Sequence, residues 1–337
     1  MFKKNSTFII AEAGINHNGD LQIAKKLIAV AKNCGADAVK FQSFKTEELI
    51  IEESKKAEHV KGKQSFFEMI QSWELSDKDY IELAKYAKKI GIIFFASVFG
   101  RRSLEVMEQV KAPLYKIASC DLNNHFLLKE VAKTKKPIII SVGMGNINEI
   151  SQAVKILEKN NNELGILHCV SLYPPQAQEL NLQRIALLKK KFSKHIVGYS
   201  DHTLDIFTPV STILLGAEII EKHFTLDKNM PGPDQLSSAN PAEFKKMVEE
   251  IRFLEKAINH QEKKITPSVR EKKMSKVFRR SLVAEIKIPQ NTVITENMLG
   301  VKRPGTGIPS LAMDKVIGKK AKINLAKNTI IKYSDLK

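Results

Sequence analysis

Two lysines sit where a lysine is costly. Lys40 interrupts the apolar run ADAVKFQSF (36–44) and Lys116 interrupts PLYKIAS (113–119). Taking an ammonium group out of water costs several kcal/mol unless a negative group accompanies it, so the pair implies an anionic ligand. Ser97, Ser119, Ser141 and Ser200 end similar runs. Their hydroxyls are neutral donors from which a phosphate or carboxylate accepts, while lysine supplies the point charge. The alternative is internal: Glu12 of TFIIAEAG (7–14) and Asp121 neutralise the lysines and nothing binds.

A second set is made of histidines. His202 follows Ser200 and Asp201, and His223 ends the run AEIIEKHFT (217–225). Two imidazoles with oxygen ligands suit a divalent ion such as manganese, iron or zinc with open positions for water and substrate. No HxxH or HExxH spacing occurs, and no thiolate cluster supports a closed zinc site. His168, alone in its run, reads equally as a satisfied core residue or a ligand.

These residues need a frame that brings them together. Eight short apolar runs recur, at 7–14, 36–44, 92–99, 113–119, 137–145, 164–171, 195–202 and 217–225. Between them lie segments with helical apolar spacing, such as LQIAKKLIAVAKNCG and SDKDYIELAKYAKKIG. The second opens on Ser76 as an expected N-cap, and both close on glycine. Alternating strands and helices predict parallel βα units, and eight of them predict an α/β fold, a closed (β/α)8 TIM barrel. No GxGxxG follows the first run, which argues against a dinucleotide-binding sheet. In each unit the polar residues stand at or near the C-terminal end of the strand, the face where such barrels build active sites. Because strand side chains alternate, Lys40 with Gln42, and Ser200 with His202, are expected to point together into the mouth.

The chain has 337 residues, 43% hydrophobic and 27% charged, with a formal charge of +17. No apolar run reaches the roughly 18 residues of a membrane span. Glu12 breaks the N-terminal apolar stretch and no cleavage site follows, so no signal peptide is read and a cytoplasmic location is expected. Cys34, Cys120 and Cys169 are an odd set without CxxC spacing, which predicts neither disulfides nor a zinc site. The basic balance carries no nucleic-acid recognition motif and instead favours anionic small ligands.

The segments IAEAGINHNGD, ADAVKFQ, YKIAS, GYSDHT, EKHFTLD followed by GPD, and VKRPGTGI closely resemble the sialic acid synthase family, in order, from about residue 8 onward. The resemblance implies a transferase that joins phosphoenolpyruvate to the open-chain aldehyde of an N-acetylated mannosamine-type hexosamine, with water captured at C2 and phosphate released by C–O cleavage. It implies that Lys116, Ser119, Ser97, Ser141 and Ser200 hold phosphoenolpyruvate, with Lys40 and Gln42 in the same site. His202 and His223 would ligate Mn2+ or Mg2+, and Glu12 would lie within reach of the proton transfers. Tyr173 of SLYP and Asp234 of GPD match positions near the sugar. The chain departs from the family pattern where ASVF replaces STPF, where ASCD puts Asp121 in place of a longer glutamate, and where CVSLYP puts Ser171 in place of asparagine. The departures face the sugar, leaving N-acetylmannosamine and a 6-deoxy diacetamido sugar of the legionaminic type both open, with the pseudaminic version disfavoured. A metal-dependent aldolase or ketoacid-phosphate synthase, and a non-catalytic carbohydrate-binding protein, are the alternatives.

Residues 1–260 are thus expected to be the barrel, 261–280 a charged linker, and 281–337 a small β-rich domain. In the last, NTVITENML (291–299) and NTIIKYSDL (328–336) form a weak internal repeat. This part resembles the antifreeze-like SAF domain of the same family. There it covers the barrel mouth of the partner in a domain-swapped homodimer, and Arg303 of VKRP would reach the sugar. Ice binding is not expected, since no extended threonine array is present.

Overall fold

In the computed structural model every one of the eight apolar runs carries a strand. They are β1 (Phe8–Gly14), β2 (Ala38–Ser43), β3 (Ile93–Val98), β4 (Tyr115–Ile117), β5 (Ile138–Ser141), β6 (Leu164–Cys169), β7 (Ile196–Asp201) and β8 (Ile219–His223). All pair parallel in chain order and β8 closes on β1, so the expected (β/α)8 barrel is the fold found. The structure describes residue 2 and residues 6–56, 64–258 and 265–337.

Helices follow the strands and bury one stripe each. Leu21–Asn33 turns Ala24, Leu27, Ile28 and Ala31 inward, the 3-4 spacing of one helix face, and Asp20 caps it by accepting from the amides of Gln22 and Ile23. Each fully buried leucine or isoleucine of this layer is worth about 1.5–3 kcal/mol. Ser76 does cap Asp77–Ile90, in a reciprocal pair with Asp79, and Gly91 ends that helix at φ 76°, a backbone angle that favours glycine.

Register places the chemistry. Glu12 lies beside Lys40 on one side and His223 on the other, Gln42 beside Ser97, Ser97 beside Lys116, and Ser200 beside Glu221.

The chain divides into two units, Met1–His260 and Gln261–Lys337. The segment read as a linker holds a helix, Val269–Phe278, capped by Ser268. In the second unit β9 (Ser281–Ala284) and β10 (Leu299–Lys302) pair antiparallel over a core that includes Leu282, Ile288, Ile294, Val316, Leu325 and Ile331. The internal repeat is structural. Asn291 and Asn328 both adopt positive φ, at 70° and 69°. The Asn291 amide donates to the Ala321 carbonyl and the Ala321 amide to that of Thr292, while Asn328, Ala284 and Thr329 repeat the same exchange. Ile294 and Ile331 are the matching buried residues, each followed by a short 3-10 turn.

Candidate active site

The C-terminal ends of the strands enclose a cavity of about 330 Å3. Glu12, Lys40, Gln42, Ser97, Lys116, Ser141, Cys169, Ser200, Glu221 and His223 line it from the strands. Loop residues Ser119, Cys120, Ser171, Tyr173 and His202 complete the wall. A larger surface groove of about 1340 Å3 touches the starts of β6 and β7, at the other end of the barrel, and gathers none of the residues singled out above. The smaller cavity is at the end where barrel chemistry is done.

The two lysines are not left alone. Lys40 Nζ lies 2.6 Å from Glu12 Oε2 and donates to Ser97 Oγ at 2.9 Å. Lys116 Nζ donates to Ser141 Oγ at 2.7 Å and lies 3.4 Å from Glu221 Oε1. Glu221 also accepts from Ser200 Oγ at 2.8 Å and stands 3.7 Å from Lys40. Internal pairing therefore occurs, but by Glu12 and Glu221. Asp121 takes no part: its carboxylate accepts from Asn124 Nδ2 at 3.0 Å and does not line the cavity. Burial of the lysines alone thus does not call for an external anion.

The two buried carboxyl groups are shifted in opposite directions. Burial raises Glu12 above the ordinary carboxylate range, more than Lys40 lowers it. Burial also opposes charge on Glu221, but Lys116, Lys40 and the Ser200 hydroxyl outweigh it and hold that group low. Burial lowers Lys116 as well. Lys40, Lys116 and a row of hydroxyls line the cavity from several strands, so a small anion meets several donors there.

His202 and His223 face one another with ring centroids 5.4 Å apart. His202 Nδ1 pairs with the Val170 carbonyl at 2.7 Å, which leaves Nε2 as its free lone pair. His223 Nδ1 is buried without a hydrogen-bond partner; Asp234 Oδ2 stands 3.8 Å away, too far for one. Burial, with His202 and Lys40 adding to it, holds His223 well below the ordinary imidazole range, and so neutral. Burial lowers His202 too, but Cys169 and the Val170 carbonyl beside it outweigh burial and raise that imidazole. The unsatisfied nitrogen of neutral His223, with Nε2 of His202 beside it, fits a divalent metal. Among the described residues no group of three or more His, Cys, Asp or Glu side chains is arranged to hold one, so further ligands would come from water or substrate. Tyr173 stacks on His202 with centroids 4.0 Å apart.

Most of the residues expected from sequence meet in this one cavity. Asp234 stands behind His223, outside the lining. Arg303 belongs to the C-terminal unit, where its guanidinium lies 5.4 Å from the Phe278 ring centroid. His168 is a satisfied core residue, its Nε2 paired with the Leu180 carbonyl at 2.7 Å. Glu221 was missed. The available signal was its place two residues before His223 in an apolar strand, which puts both on one face. The loop after β1 is tied down by Asn16, whose Nδ2 donates to the Phe224 carbonyl at 2.9 Å and to Ser238 Oγ at 2.8 Å.

Comparison with known proteins agrees with this geometry. A model described as the NeuB family matches residues 27–263, and a SAF domain model matches residues 279–337. An uncharacterised protein of Methanocaldococcus jannaschii is 45% identical over 335 residues, covering 99% of this chain and 96% of that one. The N,N'-diacetyllegionaminic acid synthase of Campylobacter jejuni is 41% identical over 333 residues, covering 97% and 99%. A crystal structure of the N-acetylneuraminic acid synthetase from Leptospira borgpetersenii, in complex with citrate, is 35% identical with a TM-score of 0.73, over 81% of this chain and 92% of that one.

Proposed function

The chain belongs to the NeuB family and ends in a SAF domain, and on that footing we propose that it is a nonulosonic acid synthase condensing phosphoenolpyruvate with an N-acetylated mannosamine-type sugar. The observation that carries the reading is the convergence of Lys40, Lys116, Ser97, Ser119, Ser141 and Ser200 with two histidines on one cavity. The lysines and hydroxyls bind the carboxylate and phosphate of phosphoenolpyruvate. C3 of this substrate attacks the sugar aldehyde, forming the new C–C bond. Water adds at C2, and the C2–O bond to phosphate breaks. Glu12, its carboxyl raised by burial, is the group that exchanges a proton with the reacting atoms.

His202 and His223 would hold Mn2+ or Mg2+, which when bound supplies a Lewis acid for the aldehyde. The sugar is proposed to be the 6-deoxy diacetamido type. Support comes from the higher identity to the legionaminic acid synthase, 41% against 35% for the N-acetylneuraminic acid synthetase. Met144, Leu172 and Leu236 on loops beyond the strand ends, and Phe207 at the start of the helix that follows β7, stand exposed, at 74%, 46%, 70% and 76%. They support a homodimer in which the partner covers that rim, and a cytoplasmic location is proposed with it.

The test is a panel of mannosamine-type sugars with phosphoenolpyruvate and Mn2+, followed by phosphate assay and product mass. Phosphate release that needs both substrates is the expected result. No release with any of the sugars would overturn the reading and favour an aldolase or a binding protein on the same barrel.

A further inference from the structure

Asp201 and Lys222 are neighbours across β7 and β8, in register with one another. Each is flanked by cavity residues: Ser200 and His202 on one strand, Glu221 and His223 on the other. Because strand side chains alternate, Asp201 and Lys222 point to the opposite face, between the barrel wall and its helices. Both are about 1% exposed. Lys222 Nζ donates to Asp201 Oδ2 at 2.5 Å and to the Thr203 carbonyl at 2.8 Å. Asp201 in turn accepts from the Thr203 amide at 3.1 Å and the Thr203 hydroxyl at 2.9 Å.

The residues on either side of His202 are therefore both gripped by the side chain that immediately precedes His223. We propose that Lys222 and Asp201 are positioning residues for the histidine pair: one buried ion pair that sets the spacing and angle of His202 against His223. His202 has a second restraint, through Nδ1 to the Val170 carbonyl, but His223 Nδ1 has none. Apart from ring contacts with His202 and Tyr173, the attitude of His223 rests on its backbone, and the adjoining residue Lys222 anchors that backbone through its side chain. Stability alone does not explain the pair. Two charges so deeply buried gain little over an apolar pair of similar volume, and a role in holding geometry accounts for their presence.

This inference rests on the reading of His202 and His223 as metal ligands, so the experiment separates the two. Mn2+ dissociation constants are measured on the full chain by the electron paramagnetic resonance signal of free Mn2+, for the wild type, His202→Ala, His223→Ala, Lys222→Met and the double variant Lys222→Met/Asp201→Asn. The double variant removes both charges, so it keeps the fold where the single one leaves Asp201 buried and unpaired. Circular dichroism and thermal melting establish that it does. The expected result is a folded double variant whose Mn2+ dissociation constant is raised about 10–100-fold, with kcat lowered and the KM for phosphoenolpyruvate changed less than twofold. A folded double variant with wild-type Mn2+ affinity and kcat, while His223→Ala loses the metal, would overturn the positioning role and leave the ligand reading intact. If wild type and His223→Ala bind Mn2+ alike, both fall.

Discussion

Lys116 and Glu221 meet inside the barrel from strands on opposite sides of it, β4 and β8, with 3.4 Å between Nζ and Oε1. Lys40 approaches the same carboxylate to 3.7 Å. Glu221 thus faces both lysines, and its removal takes the carboxylate from Lys116 while Lys40 keeps Glu12 at 2.6 Å. Glu221→Ala is expected to cost about 3–5 kcal/mol, the range for breaking a buried pair on one side. Adding Lys116→Met should return part of that loss, because the residual charge goes with it. Urea denaturation of the three proteins measures this; a double variant less stable than Glu221→Ala alone would contradict the shared-partner arrangement.

His17 predicts a pH dependence that belongs to the loop after β1. Burial lowers its imidazole to about 4, against an ordinary 6.5, with Asp20 and Asp79 opposing weakly. Its Nδ1 accepts from the Gly19 amide at 3.0 Å, which requires the neutral ring. The unfolded chain therefore binds more protons between these values, and the stabilising contribution is full above about pH 6.5 and lost as the pH falls toward 4. The loss amounts to roughly 3 kcal/mol over that window. His17→Asn should flatten the dependence in denaturation curves taken from pH 7 to pH 4.5. An unchanged slope would mean that other groups govern it.

The barrel was legible because each strand is a short apolar run bounded by turn residues, and the order of the strands around it is chain order. The site was legible where a charged or polar residue interrupts such a run, as at Lys40, Lys116 and Glu12. It was not legible at Glu221, where a histidine two residues on drew attention from the carboxylate beside it. Nor could the sequence reveal that Asp121, expected with Glu12 to pair with the lysines, turns to Asn124 while Glu221 reaches Lys116, since only the folded distances separate these carboxylates. The helix at Val269–Phe278 escaped because it buries no residue and so shows no apolar stripe.

Gly198 sets how closely β7 and β8 approach. A Cβ placed there would lie 2.2 Å from the Ile219 carbonyl oxygen and 2.8 Å from Leu167 Cδ2. Backbone cannot yield as a flexible side chain does, so Gly198→Ala should destabilise by at least the roughly 1–3 kcal/mol of ordinary overpacking. It should also shift His202 and His223 apart and lower activity in the protein that still folds. Thermal melting within about 0.5 °C of wild type, on the order of the change a few tenths of a kcal/mol gives a chain of this length, would refute the close approach.

His202→Ala and His223→Ala are each expected to lower kcat by at least about a thousandfold, on the scale of losing a catalytic group in a preorganised site, while far-ultraviolet circular dichroism stays native. Chelation should silence the wild type and added Mn2+ restore it. Retention of turnover by either variant, or by fully chelated enzyme, would remove the metal from the reaction.

Arg303 tests the part assigned to the C-terminal unit. Its guanidinium has a planar fork of donors suited to the oxygen-rich sugar and, within its own unit, lies over the Phe278 ring. If it serves the sugar half of the reaction, Arg303→Ala should raise the KM for the sugar about tenfold or more, the effect of losing a charge-assisted hydrogen bond of roughly 1.5–3 kcal/mol. The KM for phosphoenolpyruvate should stay near wild type, because Lys40, Lys116 and the serines proposed to bind it all lie in the barrel. Equal rises in both constants would point instead to a general loosening of the mouth, and no change in either would take Arg303 out of the site.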